Sequence, residues 1–271
     1  MPDPLSEIDA ALARMQGGSS GKRPGSIGEA APKIASAPTG YRALTRTATY
    51  GFLAALPLVA LYEVMAHLTL GPTGVRVSAD VWVKGLLASI GATGGWIFAA
   101  VVVALGAVLI IRERRRYGPL PLRGAYFAGM LAESTGLAVV LAFAVSTVVG
   151  MVFAQAGGKA IGLPGQIALS LGAGVYEELV FRVVLVGGLA WLLRQTWTKG
   201  TAYTVAAVVG ALIFSAIHYV GPYGDPFTLP SFVFRALFGL ALNAVYLLRG
   251  FGVAAWTHAI YDVLVTLHVF G

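Results

Sequence analysis

The chain has 271 residues, 57% hydrophobic and only 11% charged, with a formal net charge of +7 and a mean hydropathy of +0.78. Soluble domains carry roughly 25% charged residues, so this composition excludes an ordinary water-soluble globule and calls for a second, apolar solvent. The absence of cysteine excludes a disulfide framework, thiolate metal sites and a cysteine nucleophile, and the positive balance fits the one-sided basic residues of membrane proteins better than a nucleic-acid partner.

Residues 1–45 form a tail rich in Gly, Ser, Pro and Ala. It lacks any sustained apolar run, cannot bury enough surface to offset its ordering entropy, and reads as disordered. Leu5, Ile8, Leu12 and Met15 have helical spacing and suggest a short amphipathic piece. No apolar core follows a basic start, so the tail does not read as a signal peptide. Seven apolar segments follow, at about 48–70, 88–111, 125–154, 166–193, 202–220, 231–248 and 251–270. Crossing the hydrocarbon core takes about 20 apolar residues as a helix. The expectation over 46–271 is therefore an all-α, polytopic transmembrane helix bundle of about seven spans. Pro57 and the pairs Gly94–Gly95 and Gly187–Gly188 are tolerable inside packed membrane helices.

Lysine and arginine predict the orientation. One set of alternate loops holds the six that precede the first segment, Arg112, Arg114, Arg115, Arg116, Arg123, Arg194, Lys199 and Arg249, against Arg76, Lys84 and Lys159 on the other. That imbalance predicts a cytoplasmic N-terminus. Arg182 and Arg235 fall inside spans.

Ionisable residues inside the apolar segments carry the functional signal. Glu63, Glu133, Glu177, Glu178 and Asp262 lie there, as do His67, His218, His258 and His268. Each costs about 2.5–3.5 kcal/mol at the bilayer centre if charged, and such residues usually line a polar cavity. The densest cluster is Tyr176-Glu177-Glu178-Leu179-Val180-Phe181-Arg182. Glu178 and Arg182 are four apart, share a helix face and can pair. Glu177 lies about 100° round the helix from Glu178, which predicts a division of labour between the two carboxylates.

His218 follows late in the fifth segment, and His258 lies in the seventh with Asp262 four residues on. Glu177, His218 and His258 are candidate ligands for a divalent metal, zinc by their chemistry, that would lower the pKa of a bound water toward about 7. The same groups can instead activate water without metal, Glu177 taking the proton and His258 donating to the developing oxyanion. The H-E-x-x-H pattern of soluble zinc proteases is absent. Counting along the segments at about 1.5 Å per residue puts His218 nearer the outer face and His258 nearer the inner one. Gly172, Gly174 and Gly210 are where the helices could adjust to bring them together.

The remaining charges read as local. Glu63 and His67 are four apart and suit a supporting pair, Glu133 faces the cavity or pairs with Arg235, and His268 sits near an interface. Arg112–Arg116 reads as a topology signal that also attracts anionic headgroups.

In order and spacing, E-E-x-x-x-R (Glu177, Glu178, Arg182), F-x-x-x-H (Phe214, His218) and H-x-x-x-D (His258, Asp262) resemble the CPBP family. This family comprises the CAAX prenyl endopeptidases and the bacteriocin-processing (Abi) membrane proteins, and the resemblance covers residues 168–268. It implies an intramembrane endopeptidase of the glutamate or metal-dependent kind. By that resemblance Glu177 and His218 activate water, His258 and Asp262 shape the oxyanion site, and Glu178 with Arg182 braces the helix. The prenyl endopeptidases usually show Asn where Asp262 stands. An ionised aspartate cannot donate to an oxyanion, leaving it to orient His258, to be protonated or to bind metal.

The implied substrate is a membrane-embedded or lipid-anchored protein or peptide. CAAX tails, bacteriocin leaders and ordinary membrane proteins all remain open. A proton- or ion-coupled transporter would use similar intramembrane residues, but no internal repeat relates the first three segments to the last four. A non-catalytic scaffold is the third reading. No phosphate-binding glycine loop and no basic stripe interleaved with aromatics points to nucleotide or nucleic acid.

Overall fold

The computed structural model describes residues 36–69, 94–153, 162–221 and 224–269. Most of the expected tail and the stretch around Lys84 lie outside them. The described residues form helices α1 (Tyr41–Thr45), α2 (Ala48–Thr69), α3 (Gly94–Tyr117), α4 (Gly124–Phe153) and α5 (Leu163–Gly172), then a π-helical segment (Ala173–Val186), α6 (Gly187–Leu193), α7 (Lys199–Ile217), α8 (Leu229–Arg249) and α9 (Phe251–Thr266). No strand occurs among them, and the all-helical expectation holds. Among the described residues, four helical stretches are long and apolar enough to cross a membrane: Ala48–Thr69, Gly124–Ala144, Lys199–Ile217 and Leu229–Arg249.

Local chemistry sets the helix ends. Thr198 caps α7 by accepting from the Thr201 amide, and Thr228 caps α8 by accepting from the Ser231 amide, with a proline in the first turn of α8. Helix α2 has an unusual cap supplied by another helix. Glu113 of α3 accepts from the amides of Ala48 (2.7 Å) and Thr49 (2.8 Å) and from the Thr49 hydroxyl (2.7 Å), placing a carboxylate where free N–H groups and the helix dipole favour one. The basic run Arg114–Arg116 lies in the last turn of α3 rather than in a loop, where the carbonyl ends favour cations.

Helix α9 is the hub, packing against α2, α4, α5, the π segment and α8. Its buried residues include Gly252, Val253, Ala254, Ala255, Thr257 and Ala259. Small side chains let backbones approach closely, which is what holds helices together where lipid removes the hydrophobic drive between them. Gly174 of the π segment meets this helix so closely that a Cβ there would lie 2.5 Å from the Ala259 Cβ and 2.7 Å from the Ala255 carbonyl. Outward-facing Leu61, Val64, Val140, Leu237 and Leu248 stay exposed as a lipid-compatible surface.

The last expected span needs correction. Helix α9 has 16 residues, about 24 Å of rise, less than the roughly 30 Å hydrocarbon core. It is joined to α8 through Gly250 alone, whose φ of +88° only glycine adopts without strain. That junction lies against the start of α2, a Cβ on Gly250 falling 3.3 Å from the Arg46 carbonyl oxygen. Arg249 is buried and forked onto Glu133, with a further bond to the Thr45 hydroxyl at 3.1 Å. Tyr41 donates to the same carboxylate at 2.9 Å, and burial together with that carboxylate pushes its phenol above the ordinary value. Glu133 therefore pairs with Arg249 and not with Arg235, which pairs with Asp225. Arg249 acts as a packing anchor, not as a loop charge that reports topology.

Replacing Gly174 by valine should lower the thermal midpoint in detergent, because overpacking a tight contact costs about 1–3 kcal/mol or more. Gly188→Ala is the control, since nothing lies within 4 Å of its added methyl, and it should leave the midpoint unchanged or raised.

Candidate active site

The π segment carries the two carboxylates. Widening the helix in this way is rare and is frequent at functional sites. Here it turns Glu177 and Glu178 toward different neighbours, as the helical offset predicts. Glu178 is fully buried. Its Oε2 lies 3.1 Å from Nε of Arg182, and its Oε1 accepts a 2.7 Å hydrogen bond from Nδ1 of His258. The arginine contact is an ion pair without hydrogen-bond alignment, and both terminal nitrogens of Arg182 lack a hydrogen-bond partner. The guanidinium instead lies 4.4 Å above the ring of Phe214, a cation–π contact that gains strength away from water.

Glu177 faces the other histidine. Its Oε2 is 3.9 Å from Nε2 of His218, too far for a direct hydrogen bond. Nδ1 of His218 lies 2.7 Å from the Phe214 carbonyl. A carbonyl only accepts, so Nδ1 carries a proton and Nε2 is the nitrogen turned toward Glu177. His218 follows the last turn of α7, and the chain beyond it is strapped down. The Asp225 amide donates to the His218 carbonyl at 2.9 Å, Arg235 holds the Asp225 carboxylate, and Tyr219 donates to Ser231 at 2.7 Å.

Phe214 joins the two halves. Its ring is 4.8 Å from the His218 ring and 6.5 Å from the His258 ring, and Phe238 packs 5.2 Å from His258 on another side. The two histidines, expected at different depths, thus flank one ring, that of Phe214. Nε2 of His258 lies 3.4 Å from Oδ2 of Asp262. Side-chain exposure falls from 27% at Asp262 and 18% at His218 to 7% at Glu177 and 0% at Glu178, so the cluster opens on the Asp262–His218 side.

The expected metal set is not assembled. Glu177 and His218 offer two donors, but each nitrogen of His258 already faces a carboxylate, that of Glu178 or of Asp262. Among the described residues, no three His, Cys, Asp or Glu side chains gather as ligands. The remaining expected residues separate cleanly. Glu63 accepts from the hydroxyl of Tyr176 at 2.7 Å, so it supports the π segment beside the carboxylates. His67 and His268 are exposed and apart from the cluster. Phe238 and Tyr176 were not among the expected residues; an aromatic in a helix carries no local signal of which neighbour it will touch.

The two glutamates should differ in stability as well as in chemistry. Glu178→Gln leaves Arg182 buried without a charged partner on its own face and should cost about 3–5 kcal/mol. Glu177→Gln should change the melting midpoint little, and thermal unfolding of both purified variants makes the comparison.

Residues 159–264 match the family described as type II CAAX prenyl endopeptidase, Rce1-like. No curated protein and no solved structure matches the chain. The matched stretch runs from the approach to α5 through most of α9 and holds all six candidate residues, Glu177, Glu178, Arg182, His218, His258 and Asp262. Over residues 159–264, therefore, this polytopic membrane protein carries an Rce1-like domain of the type II CAAX prenyl endopeptidase family.

Proposed function

We propose that the protein hydrolyses peptide bonds of membrane-associated, CAAX-like substrates with a water activated by Glu177 and His218. One observation supports this most: two acceptor atoms, Oε2 of Glu177 and Nε2 of His218, face each other 3.9 Å apart. A single water between them donates one hydrogen to each at ordinary hydrogen-bond lengths. Its lone pair is then left for the substrate carbonyl.

Attack forms the carbon–oxygen bond as the water proton passes to Glu177. The carbonyl oxygen gains negative charge, and the Nε2–H of His258, whose ring Glu178 holds through Nδ1, is shared between Asp262 at 3.4 Å and that oxygen as its donor. Glu177 then returns its proton to the leaving nitrogen as the carbon–nitrogen bond breaks. Asp262, an acceptor when ionised, orients the His258 ring. Arg182 acts through Glu178 and positions it without touching substrate. The Asp262–His218 side is the way in, since it is the exposed edge. The basic bias of the tail and of the α3–α4 and α6–α7 connections supports a cytoplasmic N-terminus and a site served from the membrane.

Glu177→Gln should reduce cleavage of a farnesylated CAAX peptide by at least about 100-fold, and His218→Ala by about 10²–10⁴-fold. Both would be read as product fragment by mass spectrometry, with metal content measured on the same samples. One zinc per chain, lost together with activity in both variants, would overturn direct water activation. Cleavage by Glu177→Gln at the wild-type rate would overturn the site itself.

A further inference from the structure

A second feature lies on another face of the catalytic segment. A groove of about 1060 Å³ runs between α2, α3, the π segment, α7 and α8. Phe52, Val59, Leu109, Val175, Leu179 and Leu240 are among its lining residues. The site residues Glu177, Glu178 and His258 do not line it. Its volume reaches the upper end of the roughly 300–1,000 Å³ usual for small-molecule sites.

One end of this apolar trough is strongly basic. Arg46, Arg194 and Lys199 line it, and all three are exposed. Their contacts tie them to one rim. Arg46 donates to the Leu247 carbonyl at 3.0 Å, Leu247 packs in one cluster with Tyr246 and Tyr203, and Arg194 and Lys199 stand 5.9 Å and 5.8 Å from the Tyr203 ring centre. No carboxylate pairs with any of the three among the described residues. Glu113, the carboxylate near the start of α2, is engaged by three donors of Ala48 and Thr49.

We infer that this groove is a binding site for one anionic phospholipid, its acyl chains in the trough and its phosphate between Arg46, Arg194 and Lys199. Charge complementarity decides the occupant. A zwitterionic lipid would fill the trough but bring a quaternary ammonium beside three cations, and a free phosphate would use the cations but not the trough. Cations placed at the membrane surface attract anionic headgroups, and here they converge at the mouth of a chain-sized apolar slot. Val175 and Leu179 line that slot while their neighbours Glu177 and Glu178 form the catalytic cluster. The bound lipid therefore buttresses the π segment on the face away from the chemistry.

The test uses the full chain, delipidated in detergent and titrated with dioleoyl phosphatidylglycerol, dioleoyl phosphatidylcholine or glycerol phosphate, read by thermal shift and native mass spectrometry. Wild type should be stabilised by phosphatidylglycerol well beyond phosphatidylcholine and not at all by glycerol phosphate. Arg46→Gln/Arg194→Gln/Lys199→Gln should weaken phosphatidylglycerol binding by about tenfold or more. Ala244→Trp, at an exposed position lining the groove, should lose the bound lipid while remaining folded. Equal stabilisation by the two lipids, unchanged affinity in the triple variant, or binding of glycerol phosphate alone would overturn the proposal. So would displacement of the lipid by a farnesylated peptide in the Glu177→Gln background, which would make the groove part of the substrate path.

Discussion

Glu178 is a carboxylate with no exposed surface, in a bundle whose outer face is apolar. Taking such a charge out of water costs several kcal/mol, and the structure offsets this by bringing a cation and a hydrogen-bond donor to its two oxygens. Arg182 comes from the next turn of the same segment, and His258 comes from α9, eighty residues later. The pairing fixes more than one charge. It sets the plane of the His258 ring and the closeness of α9 to the π segment, and through chain continuity it aims Glu177 at His218. The arginine keeps all three guanidinium nitrogens without hydrogen bonds and rests on Phe214, so an aromatic ring completes what the carboxylate leaves undone.

The same logic recurs at the other end of α8. Arg249 and Glu133 form a second inner pair, joined by Tyr41 and Thr45, so that the short α1 is tied to two long helices. This knot fixes the α8–α9 junction beside the start of α2, where a Cβ on Gly51 would lie 3.3 Å from the Gly252 amide nitrogen. From there α9 runs only 16 residues and is surrounded by five other elements. Its glycines and alanines are what such a position demands, because packing among membrane helices rests on close van der Waals contact rather than on expulsion of water.

The π segment serves two environments at once. One face holds the polar cluster, whose exposed edge is at Asp262 and His218. Another lines an apolar trough whose rim is basic. A wide helix places neighbouring residues on these different faces without a break in its backbone hydrogen bonding. The chemistry-bearing residues are therefore held by a rigid element rather than by a loop, which favours a fixed Glu177–His218 separation over an adjustable one.

Much was legible in the sequence. Apolar runs marked the helices because a bilayer allows few other structures, and the Glu177–Glu178–Arg182 spacing alone separated a braced carboxylate from a differently aimed one. The order of the three short motifs pointed to the family and to six residues that the fold gathers. What composition and spacing could not decide depends on contacts between distant segments. The partner of Glu133, the place where α9 meets α2, the carboxylates facing both His258 nitrogens and the groove beneath Arg46, Arg194 and Lys199 are all of this kind. Helical periodicity says which residues share a face, but not how far one helix slides along another. That offset is set by where glycine and alanine let backbones touch and where buried charges find partners, and only the tertiary structure contains it.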